Sequence, residues 1–176
     1  MAHKEQRDFL TGLKEARPEW FTGVTVLEIG SLDINGTVRD FFTPTKYVGV
    51  DVGEGPGVDL VMRAENLEFP DNSFDIAISA ECFEHNPAWP ETFANMTRMA
   101  GKAVIFTCAS TGRAEHGTHG AHPESSPLTL GWEYYRNLTE QDFRNWFNIE
   151  QLFEEHEFTY NPVSCDLYFW GAKPSR

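Results

Sequence analysis

A chain of 176 residues with 40% apolar side chains, 14 Phe and 5 Trp among its aromatics, suffices for one domain with a substantial core. A single domain spanning residues 1–176 is expected. The formal charge of −13, from 27 acidic against 14 basic residues, argues against a phosphate backbone or an anionic membrane surface as partner. No apolar run approaches the ~20 residues of a bilayer span. The opening MAHKEQRDFL lacks the apolar core of a signal peptide, and Cys82, Cys108 and Cys165 form no CxxC pair. The expectation is a cytoplasmic protein.

Taken in chain order, residues 4–17 read as a polar helix stopped by Pro18. The β-branched run 24–29, closed by Gly30, reads as a first strand. Val38, Phe41 and Phe42 lie at helical spacing, so a helix is expected over 35–42. A second strand follows at 47–51, a Gly- and Pro-rich loop at 52–57, and a short third strand at 58–62. Residues 74–79 form a fourth strand, apolar almost throughout, as a strand covered on both faces should be. A helix over 90–99 has Pro90 in its first turn. Residues 103–107 are a fifth strand. The stretch 110–130 is rich in Gly, His, Ser and Pro and is the longest irregular segment. Thr139 and Asp142 make a capping box for a helix running to Phe147. Residues 149–153 and 165–171 are expected as two closing strands.

Strands alternating with helices predict an α/β fold: a three-layer sandwich around a mostly parallel, seven-stranded, Rossmann-like sheet whose last strand is antiparallel. Ligands of such sheets bind beyond the carboxyl ends of the strands. Three features fall there: Glu28 to Gly30 after the first strand, Asp51 after the second, and Ala64, Glu65 and Asn66 after the third. Glycine permits close backbone approach, and a carboxylate can accept both hydroxyls of a ribose. The glycine spacing does not supply the G-x-G-x-x-G of a nicotinamide-dinucleotide site.

The segments VLEIGSLDING (26–36), YVGVDVGEGPGVDLV (47–61), AENLEFPDNSFDIAISAECFEH (64–85) and IFTCAS (105–110) together resemble the class I S-adenosylmethionine-dependent methyltransferases, in particular the small single-domain, type 11-like group. The resemblance implies S-adenosylmethionine as cofactor. It also implies that Glu28, Gly30 and Ser31 embrace the methionine and ribose portion, Asp51 and Val52 the ribose, and Ala64, Glu65 and Asn66 the adenine. Residues 81–85 would face the methyl-transfer site, with Glu81 beside the cofactor. The family's three-glycine loop is reduced here to Gly30 and Gly36, and Arg63 stands where an acid usually precedes the alanine.

Methyl transfer to oxygen needs a base. On a helical turn Glu81, Glu84 and His85 would share a face, which makes His85 the first candidate, seconded by Glu84. The loop Glu115-His116-Gly117-Thr118-His119-Gly120-Ala121-His122 supplies further imidazoles, of which His119 is the catalytic candidate. Its spacing matches no metal motif, so no metal is expected. Trp132, Tyr134, Tyr135 and Arg136 offer a wall for an acceptor. With no Asn/Asp-Pro-Pro-aromatic stretch after the fourth strand, a small molecule or glycan precursor is the expected acceptor. The competing reading is a catalytically silent S-adenosylmethionine-binding regulatory or partner protein. The sequence says nothing of oligomeric state.

Overall fold

The computed structural model describes residues 3–175. Its sheet has seven strands in the order β3-β2-β1-β4-β5-β7-β6. These are β1 (Thr25–Ile29), β2 (Lys46–Asp51), β3 (Leu60–Val61), β4 (Phe74–Ala80), β5 (Ala100–Ala109), β6 (Glu155–Asn161) and β7 (Asp166–Ala172). Strands β1 to β5 pair in parallel, and β7 runs antiparallel to both β5 and β6. The fold class expected from the sequence is the one observed.

Alternate side chains of the central strands feed two separate cores. Val26, Ile76, Ile78 and Ile105 face α1 (Lys4–Ala16), while Leu27, Ala77, Val104 and Phe106 face α2 (Trp89–Met99). Both faces are dry, which is why these strands read as continuous apolar runs. On α1 the buried residues Gln6, Leu10 and Leu13 fall at i, i+4 and i+7, and the His3 ring accepts from the Gln6 amide as N-cap. Helix α3 (Glu140–Trp146) begins with the expected capping box: Thr139 and Asp142 each accept from the other's backbone amide. On the α2 side, Phe83, Phe93, Phe106 and Phe143 pack ring against ring, with centroids 4.5–6.4 Å apart.

Two expected elements are different in the structure. Residues 35–42 form no α-helix, only a single 3-10 turn at Val38–Phe41. Gly36, at φ +119°, and the extended Thr37 break the helical geometry, although the apolar trio is buried as its spacing suggested. The stretch expected as a strand at 149–153 is instead a helical turn, α4 (Ile149–Leu152), capped by Asn148. Ile149, Leu152 and Phe153 fit i, i+3, i+4 spacing, which is helical. The closing hairpin starts later, with β6, an edge strand whose mixed Glu-His-Glu-Phe-Thr-Tyr composition hides its period. The strand expected over 58–62 contracts to Leu60–Val61, and that over 103–107 extends to Ala100–Ala109.

Register positions the site. Ile29, at the end of β1, pairs with Val50 on one side and with Ser79 on the other. The residues that leave β1, β2 and β4 therefore emerge side by side at one edge, where the strand order reverses.

Candidate active site

A cleft partly open to solvent lies at that edge. Its first wall is the turn after β1. Gly30 has φ +76°, and a Cβ there would stand 2.7 Å from Cys82 Cβ, so only glycine fits. The Gly30 and Ser31 amides both donate to the Val50 carbonyl, at 2.9 and 3.1 Å. Gly49 and Gly57 let the loop after β2 pack against this turn: a Cβ at Gly49 would meet the Gly57 carbonyl at 2.3 Å, and one at Gly57 the Ser31 carbonyl at 2.5 Å.

Asp51, at the end of β2, accepts from the Leu32 amide at 3.0 Å through one oxygen and from the Val52 amide at 2.8 Å through the other. Each oxygen keeps a second lone pair for a ligand hydroxyl. Burial holds the Asp51 carboxyl above its usual range, opposed by those two amides. Glu28 is 4% exposed and accepts from the Tyr47 hydroxyl at 2.8 Å. Its burial pushes its pKa up to about 8. Ala64 and Glu65 line the cleft from the turn after β3, and Arg63 donates to Glu65 at 2.7 Å.

The opposite end is built by the turn after β4. Phe83 is fully buried among the phenylalanines, which pins the turn and presents Glu81, His85 and Asn86 to the cleft. Glu81 adopts φ +51°, a strained setting for a non-glycine residue, and its amide donates to the Thr107 carbonyl at 2.8 Å. Burial, with Asp166 nearby, raises the Glu81 pKa. Burial moves His85 the other way, down to about 3, so its imidazole is neutral. Burial likewise keeps the Cys82 thiol protonated.

The segment 123–132 roofs the cleft. Leu128 reaches across to Gly53, whose Cβ would meet it at 2.8 Å, and Trp132 stacks under the Arg63 guanidinium at 4.6 Å. Gly117, at φ +69°, brings the preceding loop onto His85, where a Cβ would stand 2.6 Å from the ring.

Residues 32–107 match the family model described as a methyltransferase domain. This stretch, from the turn after β1 into β5, is what is similar to a methyltransferase domain. Solved structures share the fold throughout. YcgJ from Bacillus subtilis superposes with a TM-score of 0.63 at 12% identity, over 96% of this chain and 100% of that one. The N-terminal domain of EvdMO1, crystallised with S-adenosylhomocysteine and D-fucose, gives 0.63 at 18% identity, over 99% and 85%. A phosphoethanolamine N-methyltransferase of Haemonchus contortus gives 0.65 at 15% identity, over 96% of this chain and 53% of that one. No curated protein matches the sequence. S-adenosylmethionine is the methyl donor of this fold, and the residues here fit it: a glycine turn with room for close approach, and a strand-end carboxylate with lone pairs to spare.

Most of the expected cofactor residues converge on this cleft: Glu28, Gly30, Ser31, Asp51, Val52, Ala64, Glu65 and Glu81 all line it. Asn66 does not, being exposed on the far side of its turn. Among the catalytic candidates only His85 reaches the cleft. Glu84 is fully buried behind it, because residues 83–85 form a 3-10 turn on which 81, 84 and 85 do not share one face. His119 is exposed and ion-paired with Glu133, away from the cleft. Of the aromatic wall, Trp132 lines the cleft, whereas Tyr135 packs on His85 and His116. Gln6 went unnoticed in the sequence. It lines the cleft from α1 and donates to the Thr107 hydroxyl at 2.8 Å. Its signal was a polar residue in line with Leu10 and Leu13 on the buried stripe.

Proposed function

We propose that the protein transfers a methyl group from S-adenosylmethionine to a hydroxyl or amine of a small molecule or glycan precursor, through a part of the acceptor that carries no phosphate or carboxylate. The supporting observation is the charge of the cleft. Asp51 and Glu81 line it beside Glu28, which burial holds uncharged near neutral pH, and Glu65, which pairs with Arg63; among the described lining residues themselves there is no Lys or Arg. Such a lining favours a sulfonium cofactor and repels anionic acceptors. When bound, the cofactor supplies an electrophilic methyl group on sulfur.

The chain aligns the acceptor and takes its proton. Alignment alone can contribute roughly 7–11 kcal/mol. Both Glu81 oxygens are buried without a hydrogen-bond partner. A carboxylate of raised pKa, facing the cleft, accepts a hydrogen bond from the acceptor hydroxyl and removes its proton as the methyl moves. His85, neutral, and Asn86 orient the acceptor from the same turn. His119 has no part in this scheme. Incubation of the protein with methyl-labelled cofactor and a panel of sugars, polyols and amines tests the reading. Labelled product from an uncharged or cationic acceptor, abolished in Glu81→Gln, supports it. Cofactor binding without product from any acceptor would favour the silent binding protein instead, and product only from anionic acceptors would overturn the charge argument.

A further inference from the structure

Behind the cleft, three side chains from two distant parts of the chain meet without an obvious reason. Glu84 and His85 come from the turn after β4, His116 from the loop after β5, and one ligand atom from each lies within 4.8 Å of the other two. Glu84 is fully buried, and neither of its carboxylate oxygens has a hydrogen-bond partner; the same holds for Nδ1 of His85. His85 Nε2 lies 4.0 Å from Glu84 Oε1. Burying a carboxylate without a partner is among the costliest arrangements a protein can hold.

We propose that Glu84, His85 and His116 form a binding site for a divalent first-row transition metal ion. Two imidazoles and one carboxylate are a donor set suited to zinc, manganese or iron rather than to magnesium or calcium, which prefer oxygen alone. His116 is prepared for this role. Its Nδ1 lies 3.0 Å from the Ala114 carbonyl, an arrangement that places the ring proton there and leaves Nε2 bare. The Tyr135 hydroxyl donates to the same carbonyl at 3.1 Å, and its ring packs on both imidazoles, with centroids 5.6 and 4.9 Å away. Gly117 is what lets His116 and its neighbours approach so closely.

In a second cluster, His3, Glu81 and Asp166, the Asp166 carboxylate has charged partners, although both Glu81 oxygens lack a hydrogen-bond partner as those of Glu84 do. There His3 Nε2 stands 2.8 Å from Asp166, and the Arg113 guanidinium already supplies a cation at 3.0 Å. Among the described residues no Lys or Arg is paired with Glu84. An ion held by His116 would fasten the loop after β5 to the turn that walls the cleft. The proposal goes beyond methyl transfer and stands whether or not an acceptor is found.

The test uses the full chain, stripped with chelator and titrated with zinc by calorimetry and with cobalt by visible absorption. One ion per chain is expected, with the cobalt bands of imidazole ligation. Glu84→Gln and His116→Ala should each weaken binding roughly a hundredfold, while His119→Ala/His122→Ala, which changes two exposed imidazoles, should leave it intact. Thermal melts establish that each variant is folded. Should Glu84→Gln fail to fold, His116→Ala decides, since His116 lies in a loop. Absence of binding in the wild-type protein, binding undiminished in His116→Ala, or loss only in the double variant would overturn the proposal.

Discussion

Replacing Asp51 with Asn removes one charge and one acceptor while keeping the shape of the side chain. In the structure each Asp51 oxygen already takes a backbone amide, from Leu32 and Val52, and has one lone pair left for a ribose hydroxyl. Asparagine keeps a single oxygen. Its amide nitrogen would either face the Leu32 N–H or turn a donor toward a ribose hydroxyl. Losing one hydrogen bond to a charged acceptor costs about 1.5–3 kcal/mol, which predicts a roughly 10- to 150-fold rise in Kd for S-adenosylhomocysteine. Glu65→Gln is the internal comparison. Glu65 is already paired with the half-exposed Arg63, so its loss should cost at most about 1 kcal/mol, roughly fivefold. Calorimetric titration of both variants, with melts to check folding, measures the difference. Equal losses at the two positions would refute the assignment of ribose to Asp51.

Gly30→Ala forces a side chain into a left-handed backbone and against Cys82; it should cost about 2–5 kcal/mol, read as a lowered Tm together with weakened cofactor binding. Glu28 makes stability pH-dependent. Its pKa, near 4.5 when unfolded and about 8 when folded, means the folded state binds the extra proton between these values, so stability falls as pH rises through the window. Glu28 should contribute up to about 1.4 kcal/mol per pH unit to the slope in urea titrations of the ligand-free protein, beside like-signed contributions from Asp51 and Glu81, and Glu28→Gln should remove that part of it. Trp132→Ala removes the stacking of the roof on Arg63, worth about 0.5–1 kcal/mol; acceptor KM should rise severalfold with the urea midpoint nearly unchanged. His119→Ala should leave kcat and KM as they are, because the ring lies outside the cleft and pairs with Glu133.

What the sequence revealed of the fold follows from how each segment is buried. Strands β1, β4 and β5 sit between two cores, so their apolar runs were unmistakable. The edge strand β6 alternates exposed and half-buried residues, with no fully buried position, and its pattern dissolves into that of a polar loop. The stretch 35–42 misled for the opposite reason. Val38, Phe41 and Phe42 are buried at helical spacing, but one turn satisfies three side chains as well as a helix does, and Gly36 settles the matter locally. Periodicity reports burial; over fewer than two turns it does not identify the backbone that achieves it.

The site divides along the same line. The end proposed for the cofactor was legible as a place because parallel strands fix where their ends emerge, so Glu28, Gly30 and Asp51 needed only the strand boundaries to be brought to the cleft. The reacting end depends on geometry that sequence spacing misstates. At 3.6 residues per turn Glu81, Glu84 and His85 would align. A left-handed residue at Glu81 followed by a 3-10 turn separates them instead, turning Glu81 and His85 into the cleft and Glu84 into the protein. That single backbone choice gives two neighbouring carboxylates different surroundings: one faces the space an acceptor would fill, the other faces two imidazoles. His116 and His119, three residues apart, part in the same way, because Gly117 turns the chain between them and leaves one ring against His85 and the other in solvent. Glu81, Glu84, His85 and His116 were all in view in the sequence, while their placement rests on two left-handed residues, Glu81 and Gly117, one of them not a glycine.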